Sequence, residues 1–216
     1  VLCFVIAAAL VATTARRERV MFVLAYIAGC EVLWRMNHAE VFWEFAKYAS
    51  IAICAIAIAR SRAVRNRRLA FAYFAFLVPS IAITFASLSF DRARQDVAYN
   101  LTGPLAFAFA VAVGSGLRLT ARQLLTTFVA FIGPVFGIAS LAFYSTISRA
   151  NLEFVDAANF ATSAGFGPNQ VSAVLGLGAM LALLVVIDRR FVWRLRFPLF
   201  ILSILLVIMA TLTFAR

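Results

Sequence analysis

The sequence is poor in charge, in histidine and in most of what builds a water-soluble catalytic centre. Only 13% of its 216 residues are charged, and just nine residues are acidic. Soluble domains carry about 25% charged residues, so an ordinary water-facing surface is excluded for most of the chain. The single histidine, His38, and the three cysteines, Cys3, Cys30 and Cys54, form no Cys/His cluster and no CxxC. Zinc-type ligand spacing is therefore missing, and no metal or cofactor is expected. The cysteines read as small apolar side chains within or beside apolar runs. A P-loop, a GxGxxG stretch and a Ser/His/Asp constellation are likewise lacking.

What fills the sequence instead is hydrocarbon. Hydrophobic residues make up 64% of the chain, and the mean hydropathy is +0.97. Eight apolar runs stand out, at about 1–15, 20–34, 45–59, 69–90, 101–117, 124–147, 171–187 and 197–215. A membrane-crossing helix needs about 20 mostly apolar residues, so flanking residues must complete the shorter runs. Run length, with the Ala and Leu content, favours helix over strand. The expected fold is an all-α polytopic transmembrane bundle of about eight segments, forming one domain over 1–216.

The net charge of +11 would suggest a nucleic-acid partner in a soluble protein. Its distribution argues otherwise. The loops RRER (16–19), RSRAVRNRR (60–68), RLTAR (118–122) and DRRFVWRLR (188–196) hold fourteen of the arginines. The alternate stretches, about 35–47, 91–100 and 148–170 with the terminal Arg216, hold six basic residues. This is the positive-inside pattern. It predicts that the first set is cytoplasmic and the second faces outward, with membrane lipids rather than nucleic acid around the chain. Val1 already lies in an apolar run and Arg216 directly follows another, which reads as an internal piece of a longer protein. The first run lacks a cleavage-site pattern, so it is not read as a signal peptide.

Two constellations point to chemistry at the outward face. Residues 159–172, NFATSAGFGPNQVS, cannot be a helix interior. Pro168 biases Gly167 away from helical geometry and suits the first turn of the next helix. Gly165 and Gly167 permit close backbone approach. Asn169 and Gln170 would then sit beside free first-turn amides, which attract anions. The plainer alternative is a tight loop that starts a helix. The second constellation is cationic: Arg35, four positions after Glu31, then Lys47, Arg92, Arg94 and Arg216 at helix ends. Arginine binds phosphate with a planar fork and lysine as a point charge; snorkelling to lipid headgroups is the alternative. Glu31 lies deep enough to need a partner, and Arg35 is one turn on. Trp34, Trp43, Tyr48, Tyr99 and Tyr144 read as an interfacial aromatic belt, with sugar stacking the lesser alternative. The spacing of Asp91, Asp96, Glu153 and Asp156 selects no general base.

The stretch GFGPNQVS leading into an apolar helix resembles the signature loop of the bacterial O-antigen ligase and polymerase superfamily. EVLWRMNHAEVFWEFAKY (31–48) is similar to that group's Glu-x-x-x-Arg followed by a Lys-Tyr helix start. NLTGPLAFA (100–108) is similar to its segment after an outward Arg-containing loop, and TLTFAR (211–216) to its Thr/Ser-x-Ser-Arg element, with Ala215 in place of the Ser.

The resemblance implies a metal-independent glycosyltransferase of GT-C-like membrane type in the bacterial inner membrane, active at the periplasmic face. Its donor would be a polyprenyl-diphosphate-linked glycan and its acceptor a second glycan or a lipid A core. It implies Arg216 and Arg92 as catalytic diphosphate partners, with Arg35, Lys47, Gly165, Gly167, Asn169 and Gln170 binding substrate. It also implies a large external loop with a catalytic histidine, and C-terminal helices, beyond Arg216; His38 does not match that histidine. This piece alone is expected to be inactive. The competing expectations are a transporter of a small molecule or lipid-linked glycan, whose helices are also broken by Gly and Pro, and a membrane subunit without chemistry.

Overall fold

A computed structural model describes residues 18–60, 67–115, 117–148, 160–188 and 193–213, with Ile6, Ala8, Ala9 and Val11 before them. Among the described residues the chain is helical, without strands. The helices are α1 (Glu18–Met36), α2 (Phe45–Ala59), α3 (Arg67–Ala75), α4 (Pro79–Ser87), α5 (Phe90–Gly114), α6 (Ala121–Ile147), α7 (Pro168–Ile187) and α8 (Arg196–Thr213). A 3-10 turn, Trp193–Leu195, leads into α8.

Five stretches among the described residues are long and apolar enough to cross a membrane: Arg68–Ser87, Phe90–Gly114, Ala121–Ile147, Pro168–Ile187 and Trp193–Thr213. The chain is thus an all-α membrane protein. Helix α2 coincides with the apolar run at 45–59 but has only 15 residues. Helix α1 spans 19 residues and carries Glu18, Arg19, Glu31 and Arg35. The run at 1–15 lies outside the described residues, apart from the four isolated ones.

Two expectations need correction. The 91–100 segment, expected as an outward loop, is the first part of α5. Arg, Ala and Gln in DRARQD are good helix formers, so the charge marks the end of the apolar stretch and not the end of the helix. Gly103-Pro104, near the start of the apolar run at 101–117, therefore lies inside α5. The run at 69–90 is split: α3 ends at Ala75, and α4 starts at Pro79 after a turn at 76–78. Proline lacks the amide that would continue the helix. Ser80 and Thr84 donate hydroxyl hydrogen bonds to Leu77 O (2.6 Å) and Ser80 O (2.8 Å). Such side-chain bonds satisfy backbone carbonyls near a break in an apolar segment.

The chain divides into two compact units. In the first, which includes residues 42–118, helices α2, α3 and α4 each pack on α5. Phe71 meets Phe109 edge-on at 5.1 Å, and Tyr73 meets Phe107 at 6.0 Å.

The second unit, residues 25–41 and 119–216, packs α6 and α8 on α7. Its core joins Val32, Val135, Ile138, Val171, Leu175 and Leu206. Small residues bring the helices close, as expected where lipid supplies no hydrophobic drive. A Cβ on Gly178 of α7 would lie 2.6 Å from Val135 Cγ1, and one on Gly29 of α1 would lie 2.7 Å from Phe131 O. Hydroxyls lace α7 to α8: Ser172 Oγ donates to Ala210 O (3.1 Å) and Ser203 Oγ to Ala179 O (3.0 Å). Each such bond contributes about 0.6 kcal/mol on average in a membrane protein. Helix α6 starts with a capping box, in which Thr120 Oγ1 accepts from Gln123 N and Gln123 Oε1 from Thr120 N.

Candidate functional site

The best-defined polar site of the second unit lies where the loop 160–167 turns into α7. The loop is fixed from within. Gly165 N donates to Phe160 O (2.9 Å), and Phe166 N to Ser163 O (3.2 Å). The fully buried Thr162 donates its hydroxyl to Leu212 O of α8 (3.0 Å), and Ser145 of α6 donates to Ala161 O (2.9 Å). Two successive residues, Ala164 (φ 54) and Gly165 (φ 78), are left-handed. Glycine meets that requirement at 165 without strain. A Cβ there would touch nothing within 4 Å, so conformation and not space selects the glycine.

Gly167 differs. Its φ of −45° and ψ of 106° suit a residue before proline. A Cβ would come no nearer than 3.8 Å to the Gln170 side chain. Pro168 is the first residue of α7, as expected, and Asn169 and Gln170 follow, exposed in its first turn. The amide cradle is smaller than the sequence suggests. Pro168 has no N–H, and both Gln170 N (3.0 Å) and Val171 N (3.1 Å) donate to Gly167 O.

A cation compensates. Arg35, in the last turn of α1, donates from Nη2 to Glu31 Oε1 at 2.5 Å. Its Nη1 reaches Gln170 Oε1 at 3.4 Å, a long contact. The Arg35 side chain is 13% exposed and that of Glu31 28%. The carboxylate fixes one edge of the guanidinium and directs the other toward the start of α7. Helix N-termini favour anions, and the start of α7 carries the Asn169 and Gln170 side-chain amides, with the Arg35 guanidinium reaching Gln170.

Of the other expected cations, Lys47, Arg92 and Arg94 belong to the first unit. Lys47, in the first unit, pairs with Glu44 at 2.6 Å and stands 5.6 Å over the Tyr99 ring. Arg92 is exposed on the first turn of α5, and its side chain makes neither an ion pair nor a hydrogen bond among the described residues. Arg216 lies outside the described residues. Sequence reasoning passed over Glu44 and Thr102. Glu44 Oε2 lies 3.2 Å from Thr102 Oγ1 across 58 residues; only the i,i+3 spacing of Glu44 and Lys47 was available as a signal.

Comparison of the chain with protein-family models, with curated proteins and with solved structures finds no match.

Proposed function

We propose that this chain is the donor-binding part of a membrane glycosyltransferase of the O-antigen ligase or polysaccharide polymerase type. In this reading it belongs to a bundle of about eight segments in a bacterial inner membrane, with its site at the periplasmic face. The reaction moves a glycan from a polyprenyl diphosphate to an acceptor hydroxyl. The acceptor oxygen bonds to the anomeric carbon as the bond from that carbon to the diphosphate oxygen breaks. The hydroxyl proton is released, and polyprenyl diphosphate leaves with the bonding electrons.

One observation carries the proposal: Arg35, held by Glu31, is directed at Gln170 in the first turn of α7. Charge gathers on the diphosphate as the bond breaks, and a cation already in place lowers that barrier. A planar guanidinium with one edge fixed suits a phosphate oxygen pair. The resemblance of GFGPNQVS and EVLWR to the family supplies the substrate class.

The transporter reading has its own support in the interrupted segment α3–α4 and in Pro104 and Pro134 inside α5 and α6. Native mass spectrometry of the protein in nanodiscs with undecaprenyl diphosphate tests the first reading. Binding weakened about tenfold or more in Arg35→Ala is expected, from loss of a charged hydrogen bond. Equal binding by wild type and variant contradicts it.

A further inference from the structure

The first unit holds a buried carboxylate that the transferase reading does not use. Glu44 is 9% exposed and stands at the N-cap of α2, yet its side chain caps no amide. Its Oε2 faces Lys47 Nζ at 2.6 Å and Thr102 Oγ1 at 3.2 Å. The Thr102 hydroxyl also points at Ala98 O, at 2.5 Å. A hydroxyl has one proton, and the shorter contact takes it. Lys47 is therefore the one firm donor to this carboxylate among the described residues. The second oxygen, Oε1, is buried and has no hydrogen-bond partner among the described residues. An acceptor withdrawn from water without a donor is unfavourable, more so when charged.

The charge balance selects the missing donor. Lys47 already neutralises Glu44, so a second cation would meet a lysine 2.6 Å from the carboxylate. An anion would meet the unpaired oxygen. A neutral hydrogen-bond donor, O–H or N–H, satisfies both. The surroundings narrow the class further. Phe42, Trp43, Tyr48 and Tyr99 are 58%, 51%, 43% and 59% exposed. Phe42 packs on Tyr48 at 5.7 Å, and Tyr99 lies under Lys47 at 5.6 Å. Aromatic faces beside a few placed polar groups suit a ligand with apolar ring faces and hydroxyl edges.

We propose that Glu44, with its chain neighbours Phe42, Trp43 and Tyr48 and with Tyr99 beside Lys47, forms a saccharide-binding subsite, in which Oε1 accepts a hydrogen bond from a sugar hydroxyl. The terminal torsion of a glutamate is broad, so Oε1 meets an incoming hydroxyl by turning while Lys47 stays on the carboxylate. This subsite rests on residues of the first unit alone and holds whether or not the chain transfers glycans.

The test is saturation-transfer NMR on the protein in lipid nanodiscs, free of sugar-based detergent. The probes are glucose, galactose, rhamnose and N-acetylglucosamine. Wild type is expected to give transfer to at least one of them. Glu44→Gln is expected to bind that sugar about tenfold or more weakly, from loss of the charged acceptor. The carboxylate variant decides wherever it folds. Where it does not, Tyr99→Leu decides, since this exposed ring is replaced with little stability cost: weakened binding supports the subsite and unchanged binding overturns it. Transfer to none of the four sugars by wild type also overturns it, and water is then the donor to Oε1.

Discussion

Arg35 and Gln170, 135 residues apart in the chain, face each other at 3.4 Å, with Glu31 holding the opposite edge of the guanidinium. Each partner has a separate consequence on substitution. Gln170→Ala removes a long and weak contact, so under the transferase proposal a threefold to tenfold loss of glycan transfer is expected, about 0.6–1.4 kcal/mol. Glu31→Gln keeps the shape and releases the guanidinium, and Arg35→Lys keeps the charge and loses the fork. Both are expected to fall further than Gln170→Ala. Transfer rates of the three variants at matched protein levels check the order, and normal rates in Arg35→Lys would remove the fork from the account.

Close packing in the second unit predicts stability effects that do not depend on function. Gly178→Ala places a methyl 2.6 Å from Val135 Cγ1. Overpacking of this kind costs about 1–3 kcal/mol. Gly29→Ala meets the backbone oxygen of Phe131 at 2.7 Å; backbone yields less readily than a valine methyl, so its cost is expected at the upper end of that range. Gly165→Ala is opposed by φ and not by space and should cost about 1 kcal/mol. Unfolding by SDS titration in mixed micelles ranks the three.

Thr120→Ala breaks the capping box at the start of α6. A loss of about 1 kcal/mol is expected. Thr120→Ser keeps an accepting hydroxyl and should restore most of it. The same SDS titration measures both.

The extent to which the sequence foretold the fold depends on the kind of signal. The apolar run at about 45–59 matches helix α2, flanked by Glu44 and Arg60 although Lys47 lies within it. Polarity misleads at 91–100, where α5 continues past the end of the apolar stretch. Charge reports where water begins and not where a helix ends. Pro79 was a usable break signal, yet Pro104 and Pro134 lie within helices, so proline alone does not decide. At the candidate site, the Glu31–Arg35 pair was legible because i,i+4 neighbours on a helix must meet. The approach of Arg35 to Gln170, and of Glu44 to Thr102, follows from tertiary packing that no local pattern encodes.

The charge asymmetry of the loops predicts an orientation. In a background with Cys3, Cys30 and Cys54 replaced by alanine, a cysteine at the exposed Ala39 is expected to react with an impermeant thiol reagent added outside intact cells. One at the exposed Arg194 is expected to react only after permeabilisation. The opposite labelling pattern would reverse the assigned faces.

The central claim is that this chain acts on a lipid-linked glycan, and deletion of its gene tests that most directly. Surface and lipid-linked glycans of the deletion strain are compared with wild type by gel and mass spectrometry, with the intact gene and its Arg35→Ala variant returned. The account predicts that a lipid-linked glycan accumulates, as single repeats for a polymerase or as full-length polymer for a ligase. The intact gene should clear it and the variant should not. An unchanged glycan profile on deletion would contradict the transferase account.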